Sequence, residues 1–241
     1  MKGILIVQAR TGSTRLPNKM TDRFGKKSLL AWVLRNLKTW QGAQAIVVAT
    51  STHENDNEIE RIALEAEVAC VRGSEDDVAA RILSAASLTK ENWIFRVCAD
   101  NPFLCEDLFN QLLSSVNQHP TASYVSFEVN GTPAILTDYG LFVEAINVKS
   151  LLKVHPKLTQ HQREHATLAL LESKDSIWLP INISQSFRLT VDTEEDRNNA
   201  LFVKDLVGRP PFDSSELLSQ LDMLPSETLA SMLAERESNK K

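Results

Sequence analysis

The chain has 241 residues, of which 43% are hydrophobic, and this is enough for one core of the size usual in an α/β domain. The formal net charge of −5, with both signs mixed, gives no support for nucleic acid or a membrane as the main partner. No apolar run approaches the roughly 20 residues of a membrane span, no signal-peptide pattern is visible, and the three cysteines lack C-x-x-C spacing. We therefore expect one cytoplasmic domain over residues 1–241, with reduced thiols in its core.

Strand-like and helical patterns alternate through the first half of the chain. Short runs rich in Val, Ile and Ala predict strands at residues 2–8, 44–50, 67–72 and 92–98. Apolar residues at helical spacing predict intervening helices around 30–37, 59–66, 77–87 and 105–117. This alternation favours βαβ units and therefore an α/β fold with a mostly parallel, Rossmann-like open sheet.

The rhythm changes after about residue 120. The Asn130-Gly131 dipeptide between segments 121–129 and 132–138 predicts a hairpin, because Asn-Gly readily adopts the positive φ angles of a tight turn. The remaining elements are helices at 149–155, 161–173 and 194–207, and strands at 177–183 and 187–191. Pro210-Pro211 opens a helical tail, 209–241, whose end is polar.

Three cations follow the first predicted strand. Arg10, Arg15 and Lys19 lie in one loop, and ligands of open α/β sheets bind outside the carboxyl ends of strands. We expect Arg10 and Lys19 to be exposed, and with free backbone N–H groups the three cations suit a polyphosphate. The alternative is a solvated basic loop. Neither the P-loop nor the G-x-G-x-x-G pattern is present to explain the cations.

Two carboxylates follow later predicted strands. Asp100 comes after the strand at 92–98 and Asp192 after the strand at 187–191, so both are expected at the sheet edge that carries the cations. Such a pair suits Mg²⁺, which binds one or two carboxylates together with substrate phosphates. The alternative for Asp192 is to cap the helix that follows it.

Two further motifs have one interpretation each from their residue types alone. The run from Arg72 to Asp77 has the composition of a helix N-cap with first-turn acids, and Arg81 is expected to pair with Asp77 at i,i+4. The run from His161 to His165 fits the zinc pattern H-x-x-E-H, but Arg163 places a cation beside that site.

Taken together, these motifs resemble the cytidylyltransferases that make CMP-sugars. The similarity is greatest to the branch of spore-coat polysaccharide biosynthesis protein F, and more distant to enzymes that activate 3-deoxy-manno-octulosonate and acylneuraminates. It covers about residues 2–205, in six ordered motifs. After the opening Arg10 to Lys19, these are Ala49 to Ser51 with Asp56, Arg72 to Val78 with Arg81, Arg96 to Pro102, Gly140 to Glu144, Arg163 to His165 and Arg188 to Asp192. Asn18 stands where the family usually has Gly, and Asn tolerates positive φ.

The resemblance implies the nucleotide-diphospho-sugar transferase type of sheet, with a hairpin and helix insertion in its middle. It also implies transfer of CMP from CTP to a sugar acid or related sugar in surface polysaccharide biosynthesis, with release of pyrophosphate. The implied residues are Arg10, Lys19, Asp100 and Asp192 for catalysis; Asp100 and Asp192 for Mg²⁺; Ala9, Arg10, Ser13, Arg15, Lys19, Arg72, Ser74 and Asp100 for the nucleotide; and Glu144, Arg163 and His165 for the acceptor.

Other interpretations stay open from residue types alone. These do not distinguish CTP from UTP, and they do not name the acceptor. A glycosyltransferase would be expected to carry Asp-x-Asp where Asp100 is followed by Asn101-Pro102, and a non-catalytic subunit would be expected to have lost charged site residues.

A homodimer is also expected, with the acceptor and dimer subregion at 121–175. Its apolar residues available for a subunit contact are Tyr124, Phe127, Ile135, Leu136, Leu168 and Leu171. The alternative is that the hairpin folds back on its own sheet and buries them.

Overall fold

A computed structural model describes residues 3–238 of the chain. Residue 2 of the first predicted strand and residues 239–241 of the polar tail lie outside the described residues. Over the described range the strands are β1 Gly3–Gln8, β2 Arg23–Phe24, β3 Lys27–Ser28, β4 Ala43–Ser51, β5 Ala69–Gly73, β6 Trp93–Cys98, β7 Tyr124–Val129, β8 Thr132–Pro133, β9 Glu144–Asn147 and β10 Ser176–Ile181. The helices are α1 Leu29–Leu37, α2 Asn57–Glu65, α3 Val78–Ala86, α4 Glu106–Gln118, α5 Val148–Val154, α6 Gln160–Glu164, α7 Leu168–Leu171, α8 Glu194–Val207, α9 Ser214–Leu221 and α10 Ser226–Ser238.

Eight strands form one mostly parallel sheet, as the alternating pattern predicts. Its order is β10-β7-β9-β6-β1-β4-β5, with β8 attached to β7. The run β6-β1-β4-β5 is parallel, whereas β9 is antiparallel to both of its neighbours. Because β1 is central and parallel to β6, the loops that leave these two strands emerge side by side at the same edge.

The core lies on both faces of this sheet, which explains why β1 is apolar without alternation. Leu5 and Val7 pack into the layer that contains α1, α2 and α4, and Ile6 packs into the layer that contains α3 and α5. The helices of the tail, α9 and α10, add buried residues to the first layer. No helix among residues 3–238 is long and apolar enough to cross a membrane.

The hairpin turn forms as its sequence predicts, but its second strand is short. Asn130 and Gly131 have φ angles of 50° and 81°, the signs that a tight hairpin turn of this kind requires. The paired part of β8 ends at Pro133, and a 3-10 turn follows at Ala134–Leu136. Tyr124 and Phe127, predicted to be available for a subunit contact, are buried within the chain.

Two other expectations about elements need correction, and one strand was missed. The segment 187–191 is not a strand but a buried extended loop, held by hydrogen bonds from Leu189 N to Asp138 O and from Val191 N to Asp100 O. The helix predicted at 161–173 is broken at His165, which leaves the helical region and separates α6 from α7. β9 was not predicted, because four buried residues beside a helix leave no alternating pattern.

Candidate active site

A cavity of about 510 Å³ lies at the carboxyl ends of β1 and β6. Seven parts of the chain line it: the loop after β1, the start of α3, the end of β6, Ser126 in β7, the segment 134–144, the end of α6, and the residues just before α8. Ala9, Arg10, Ser13, Arg15 and Lys19 all lie on this surface. The cavity therefore includes the basic loop that the sequence indicates as a phosphate site.

The basic loop is held at its base by a buried carboxylate, Asp56. One Asp56 oxygen accepts hydrogen bonds from the backbone N–H and hydroxyl of Thr11, at 2.8 and 2.7 Å, and the other accepts two from Ser51. Burial alone would raise the pKa of Asp56, but these hydrogen bonds outweigh it and hold the pKa below its usual value. Farther along the loop, Asn18 has a φ of 59°, so it adopts the conformation that Gly would favour.

Lys19 is not exposed as expected but buried, with only 7% of its side chain accessible. Its Nζ lies 2.9 Å from Asp100 Oδ2, 2.7 Å from Asp192 Oδ1 and 2.9 Å from the carbonyl oxygen of Val191. Burial by itself would lower the pKa of Lys19, yet the two carboxylates raise it above its usual value. The lysine is therefore charged at neutral pH and binds both carboxylates at once.

Asp100 and Asp192 come together although 92 positions separate them in the sequence. Asp192 does not cap α8, because Thr193 occupies the N-cap and forms a capping box with Asp196. The second oxygen of Asp192 binds Arg15 at 3.1 Å and Arg188 at 2.8 Å. Burial opposes the charge on Asp192, but Lys19 and the two arginines lower its pKa.

This pair of carboxylates could hold a divalent cation. Both are hard oxygen donors, and the ammonium between them shows that the site already stabilises a cation. Within residues 3–238 there is no group of three or more His, Cys, Asp or Glu that could hold a metal. A metal here would therefore draw its other ligands from water and substrate phosphates, which is how Mg²⁺ is usually bound.

Arg188 is a central residue of the site that the sequence interpretation left without a role. Its side chain is 1% exposed and binds Asp138 at 2.7 Å, Asp192 at 2.8 Å and Asp196 at 2.7 Å. It therefore fixes the orientation of Asp192 and joins it to Asp138, which also lines the cavity. The i,i+4 and i,i+8 spacing of Arg188, Asp192 and Asp196 was the available signal, whereas Asp138 gave none.

The floor of the cavity contains a second buried ion pair. Arg96 binds Glu144 and also donates to Gln8 at 3.0 Å, and the hydroxyl of Tyr124 donates to the other Glu144 oxygen. Cys98 lies beside this pair, and burial raises the pKa of its thiol to about 12. Glu144, expected to contact the acceptor, reaches the cavity surface while its charge is balanced by Arg96.

The Arg163-Glu164-His165 motif divides between two places. Glu164 pairs with Arg10 at 2.9 Å, and both line the cavity together with His165. Burial and the neighbouring His161 lower the pKa of His165. Arg163 instead binds Asp77 and His155, away from the lining residues.

Arg72 and Ser74 do not line the cavity either. Arg72 donates to the carbonyl oxygens of Ser51 and His53, and Ser74 Oγ accepts from the backbone of Asp77, the N-cap of α3. The pair predicted between Arg81 and Asp77 is wrong, because the fully buried Arg81 donates to the carbonyl oxygens of Ser74 and Glu75 instead. Arg81 thereby fixes the loop before α3.

Comparison with known proteins identifies the family of this chain. The model of one protein family, described as cytidylyltransferase, matches residues 4–237. The chain belongs to this cytidylyltransferase family. It is 27% identical to spore coat polysaccharide biosynthesis protein SpsF of Bacillus subtilis, over 92% of this chain and 95% of that protein.

Two solved structures show the same fold. A cytidylyltransferase from Leptospira borgpetersenii has a TM-score of 0.80 and 24% identity, with 95% of each chain covered. A CMP:2-keto-3-deoxy-manno-octonic acid synthetase, solved in complex with CTP, has a TM-score of 0.65 and 14% identity, with 85% of this chain and 99% of that chain covered. At these identities the likeness is one of fold, and it agrees with the α/β sheet described above.

Proposed function

We propose that this cytidylyltransferase transfers CMP from CTP to a hydroxyl of a sugar acid or related sugar and releases pyrophosphate, in surface polysaccharide biosynthesis. The observation that carries the proposal is the junction of Lys19, Asp100 and Asp192 at the cavity. It lies next to Arg10 and Arg15, so cationic side chains and metal-binding carboxylates meet at one point. Attack on an α-phosphate needs positioning and charge neutralisation more than covalent help, and this set of groups supplies both.

Each charged group has a distinct role in this proposal. Asp100 and Asp192 would hold Mg²⁺, which would neutralise phosphate charge and increase the acidity of an attacking hydroxyl. Lys19, Arg10 and Arg15 would neutralise the departing pyrophosphate. Arg10 and Arg15 are paired with Glu164 and Asp192, and a polyphosphate would compete with these carboxylates for them.

The remaining residues of the proposed nucleotide and acceptor sites complete the proposal. Ala9 and Ser13 would border the nucleotide, with Arg72 and Ser74 shaping the loop beside it rather than lining the cavity. Glu144 and His165 would border the acceptor, and Arg163 would hold the neighbouring segment through Asp77. We further propose a cytoplasmic homodimer without nucleic-acid or membrane partners.

Release of pyrophosphate by the purified protein tests the function. With CTP, Mg²⁺ and a panel of neutral, amino and acidic sugars, we expect release that depends on one class of sugar and falls when UTP replaces CTP. The Asp100→Asn and Asp192→Asn variants should lose this release, because a neutral amide is a poorer ligand for a hard cation. Equal release in either variant, or none with any sugar in the native protein, would contradict the proposal.

A further inference from the structure

The ammonium group of Lys19 uses all three of its N–H donors within the chain. Lys19 Nζ donates to Asp100 Oδ2 at 2.9 Å, to Asp192 Oδ1 at 2.7 Å and to the carbonyl oxygen of Val191 at 2.9 Å. An ammonium group has three donors and no more. To donate to a phosphate oxygen, Lys19 must therefore give up at least one of these three bonds.

The two carboxylates are engaged by the same lysine. One oxygen of Asp192 accepts from Lys19, and the other pairs with Arg15 at 3.1 Å and with Arg188 at 2.8 Å. A hard cation held by this pair needs oxygens of both Asp100 and Asp192, and the ammonium already lies between them. Two cations placed at the same oxygens repel each other. Lys19 and a divalent cation therefore compete for these carboxylates.

The three cations that pair with Asp192 differ in how firmly they are held. Arg188 is 1% exposed and also pairs with two other carboxylates. Lys19 and Arg15 belong to the basic loop and line the cavity. Arg15 is 50% exposed, and Lys19 has a four-carbon stem with rotatable bonds. Rotation of its side chain can therefore carry the Lys19 ammonium towards the cavity while Arg188 continues to hold Asp192.

The main chain of the basic loop is held by bonds that do not involve this ammonium. The N–H of Asn18 donates to the carbonyl oxygen of Thr11 at 3.2 Å, and Thr11 is bound by the buried Asp56. The N–H of Lys19 itself donates to the carbonyl oxygen of Leu16 at 3.3 Å. Release of the ammonium therefore moves a side chain and leaves these bonds of the loop in place.

We propose that Lys19 couples the binding of a polyphosphate to the binding of a divalent cation. Polyphosphate oxygens take the ammonium from Asp100 and Asp192, and the two carboxylates then attract a divalent cation more strongly. Without a polyphosphate, Lys19 keeps both carboxylates closed to the cation. This inference rests on the proposed function, which brings both ligands to the site. Because coupling between two ligands is reciprocal, a polyphosphate also binds more tightly in the presence of the cation.

Binding of Mn²⁺ without nucleotide tests the competition. Mn²⁺ takes the same kinds of oxygen ligand as Mg²⁺, and its free concentration can be measured by electron paramagnetic resonance. The Kd for Mn²⁺ should be about tenfold lower in Lys19→Met than in the native protein. The control Lys26→Met, which removes an exposed lysine, should keep the native Kd. An equal or higher Kd in a folded Lys19→Met variant would overturn the inference.

A measurement on the native protein tests the release of Lys19 by a polyphosphate and does not depend on the folding of Lys19→Met. In protein labelled with ¹⁵N-lysine, the ammonium resonance of Lys19 is identified by its absence from Lys19→Arg. Inorganic triphosphate added without metal should shift this resonance, and sodium chloride at the same ionic strength should not. An unchanged resonance would overturn the inference.

Failure of the coupling and failure of the proposed function give different results. Release of pyrophosphate from CTP and a sugar, together with an unchanged Mn²⁺ Kd in Lys19→Met, would overturn the coupling alone. A lowered Kd and a shifted Lys19 resonance, together with no release from any sugar, would support the coupling and overturn the proposed transfer.

Discussion

At the scale of single residues, the charge of Lys19 serves both folding and the proposed reaction. Its ammonium lies between two carboxylates that would otherwise repel each other. In the Lys19→Met variant we expect turnover to fall by about 10²–10³, because the variant lacks the group that we propose to stabilise the leaving pyrophosphate. Thermal unfolding should occur at a lower temperature for the same variant.

Added Mg²⁺ distinguishes this explanation from a simple loss of packing. With the ammonium gone, Asp100 and Asp192 remain close together, and a divalent cation that binds the folded state stabilises it. Millimolar Mg²⁺ should therefore raise the melting temperature of Lys19→Met more than that of the native protein. The control is Lys26→Met, which changes an exposed lysine. Equal magnesium shifts in all three proteins would contradict the prediction.

The carboxylate of Asp56 predicts a pH dependence of stability. Its pKa in the folded protein is lowered, so its contribution to stability is present above the unfolded value of about 3.9 and is lost as the pH falls through the folded value. Asp56→Asn should cost about 1–3 kcal/mol at pH 7, because an amide cannot accept the hydrogen bonds on both of its atoms.

The difference between native protein and Asp56→Asn should then narrow as the pH falls below about 4, where the carboxylate of the unfolded chain becomes protonated, and should vanish below the lower pKa of the folded protein. Urea unfolding at pH 7 and at lower pH measures both values. A difference that stays constant over this range would show that the charge of Asp56 is not the source of the stability.

The position of a site residue could be predicted where neighbouring residues in the sequence indicate it, and could not where it depends on contacts with distant parts of the chain. Arg10, Lys19 and Asp100 follow apolar runs, so their position at strand ends could be predicted without a structure. The bonds of Asp138 to Arg188 and of Asp56 to Thr11 join distant parts of the chain, and no local pattern encodes them. Burial of Lys19 was missed for the same reason, since its partners lie 81 and 173 positions away.

At the scale of elements, two glycines with positive φ differ in what surrounds them. Gly131, in the hairpin turn, has a φ of 81° and open space where a Cβ would lie. Gly140 has a φ of 69°, and a Cβ there would lie 3.0 Å from Thr190 N and 3.1 Å from the Leu189 carbonyl carbon. The segment that it would displace leads directly to Asp192.

We therefore expect the two alanine variants to separate stability from activity. Gly131→Ala should cost about 1–2 kcal/mol for the left-handed backbone alone and leave turnover unchanged. Gly140→Ala should cost more and should also lower turnover, because the loop before Asp192 must shift. Chemical unfolding and pyrophosphate release measure both effects, and an equal loss in the two variants would be the contrary result.

Elements with strong periodicity were predictable, and short or buried ones were not. In the four parallel strands and in helices α1–α4, the spacing or clustering of apolar residues is enough to predict the type of element. β9 has four buried residues, and the segment 187–191 resembles a strand in composition although its hydrogen bonds go to loops. In both places tertiary contacts decide the backbone, and composition alone does not predict them.

At the scale of the whole molecule, the pairing of strands in the sheet brings the site residues together. The parallel pairing of β1 with both β4 and β6 brings the basic loop and Asp100 to one edge, and the loop before α8 crosses to the same edge. The alternation of strands and helices predicted this arrangement of the first half. The order of the second half, with β9 between β6 and β7, needed long-range pairing and was not predictable.

A homodimer that uses the middle subregion, 121–175, stays a prediction. Fewer residues are available for its subunit contact than the sequence suggested. Tyr124 and Phe127 are internal, whereas Leu136, on the 3-10 turn after the hairpin, is 58% exposed. A large exposed apolar side chain favours a covering partner surface, and a symmetric dimer is the commonest closed assembly. Sedimentation at micromolar concentration should give about twice the 26.9 kDa chain mass.

Leu136→Glu should shift the protein towards the monomer, and the control Leu64→Glu, at a leucine 75% exposed on α2, should not. A monomer in the native protein, or the same mass for both variants, would remove the subregion from consideration as a subunit contact.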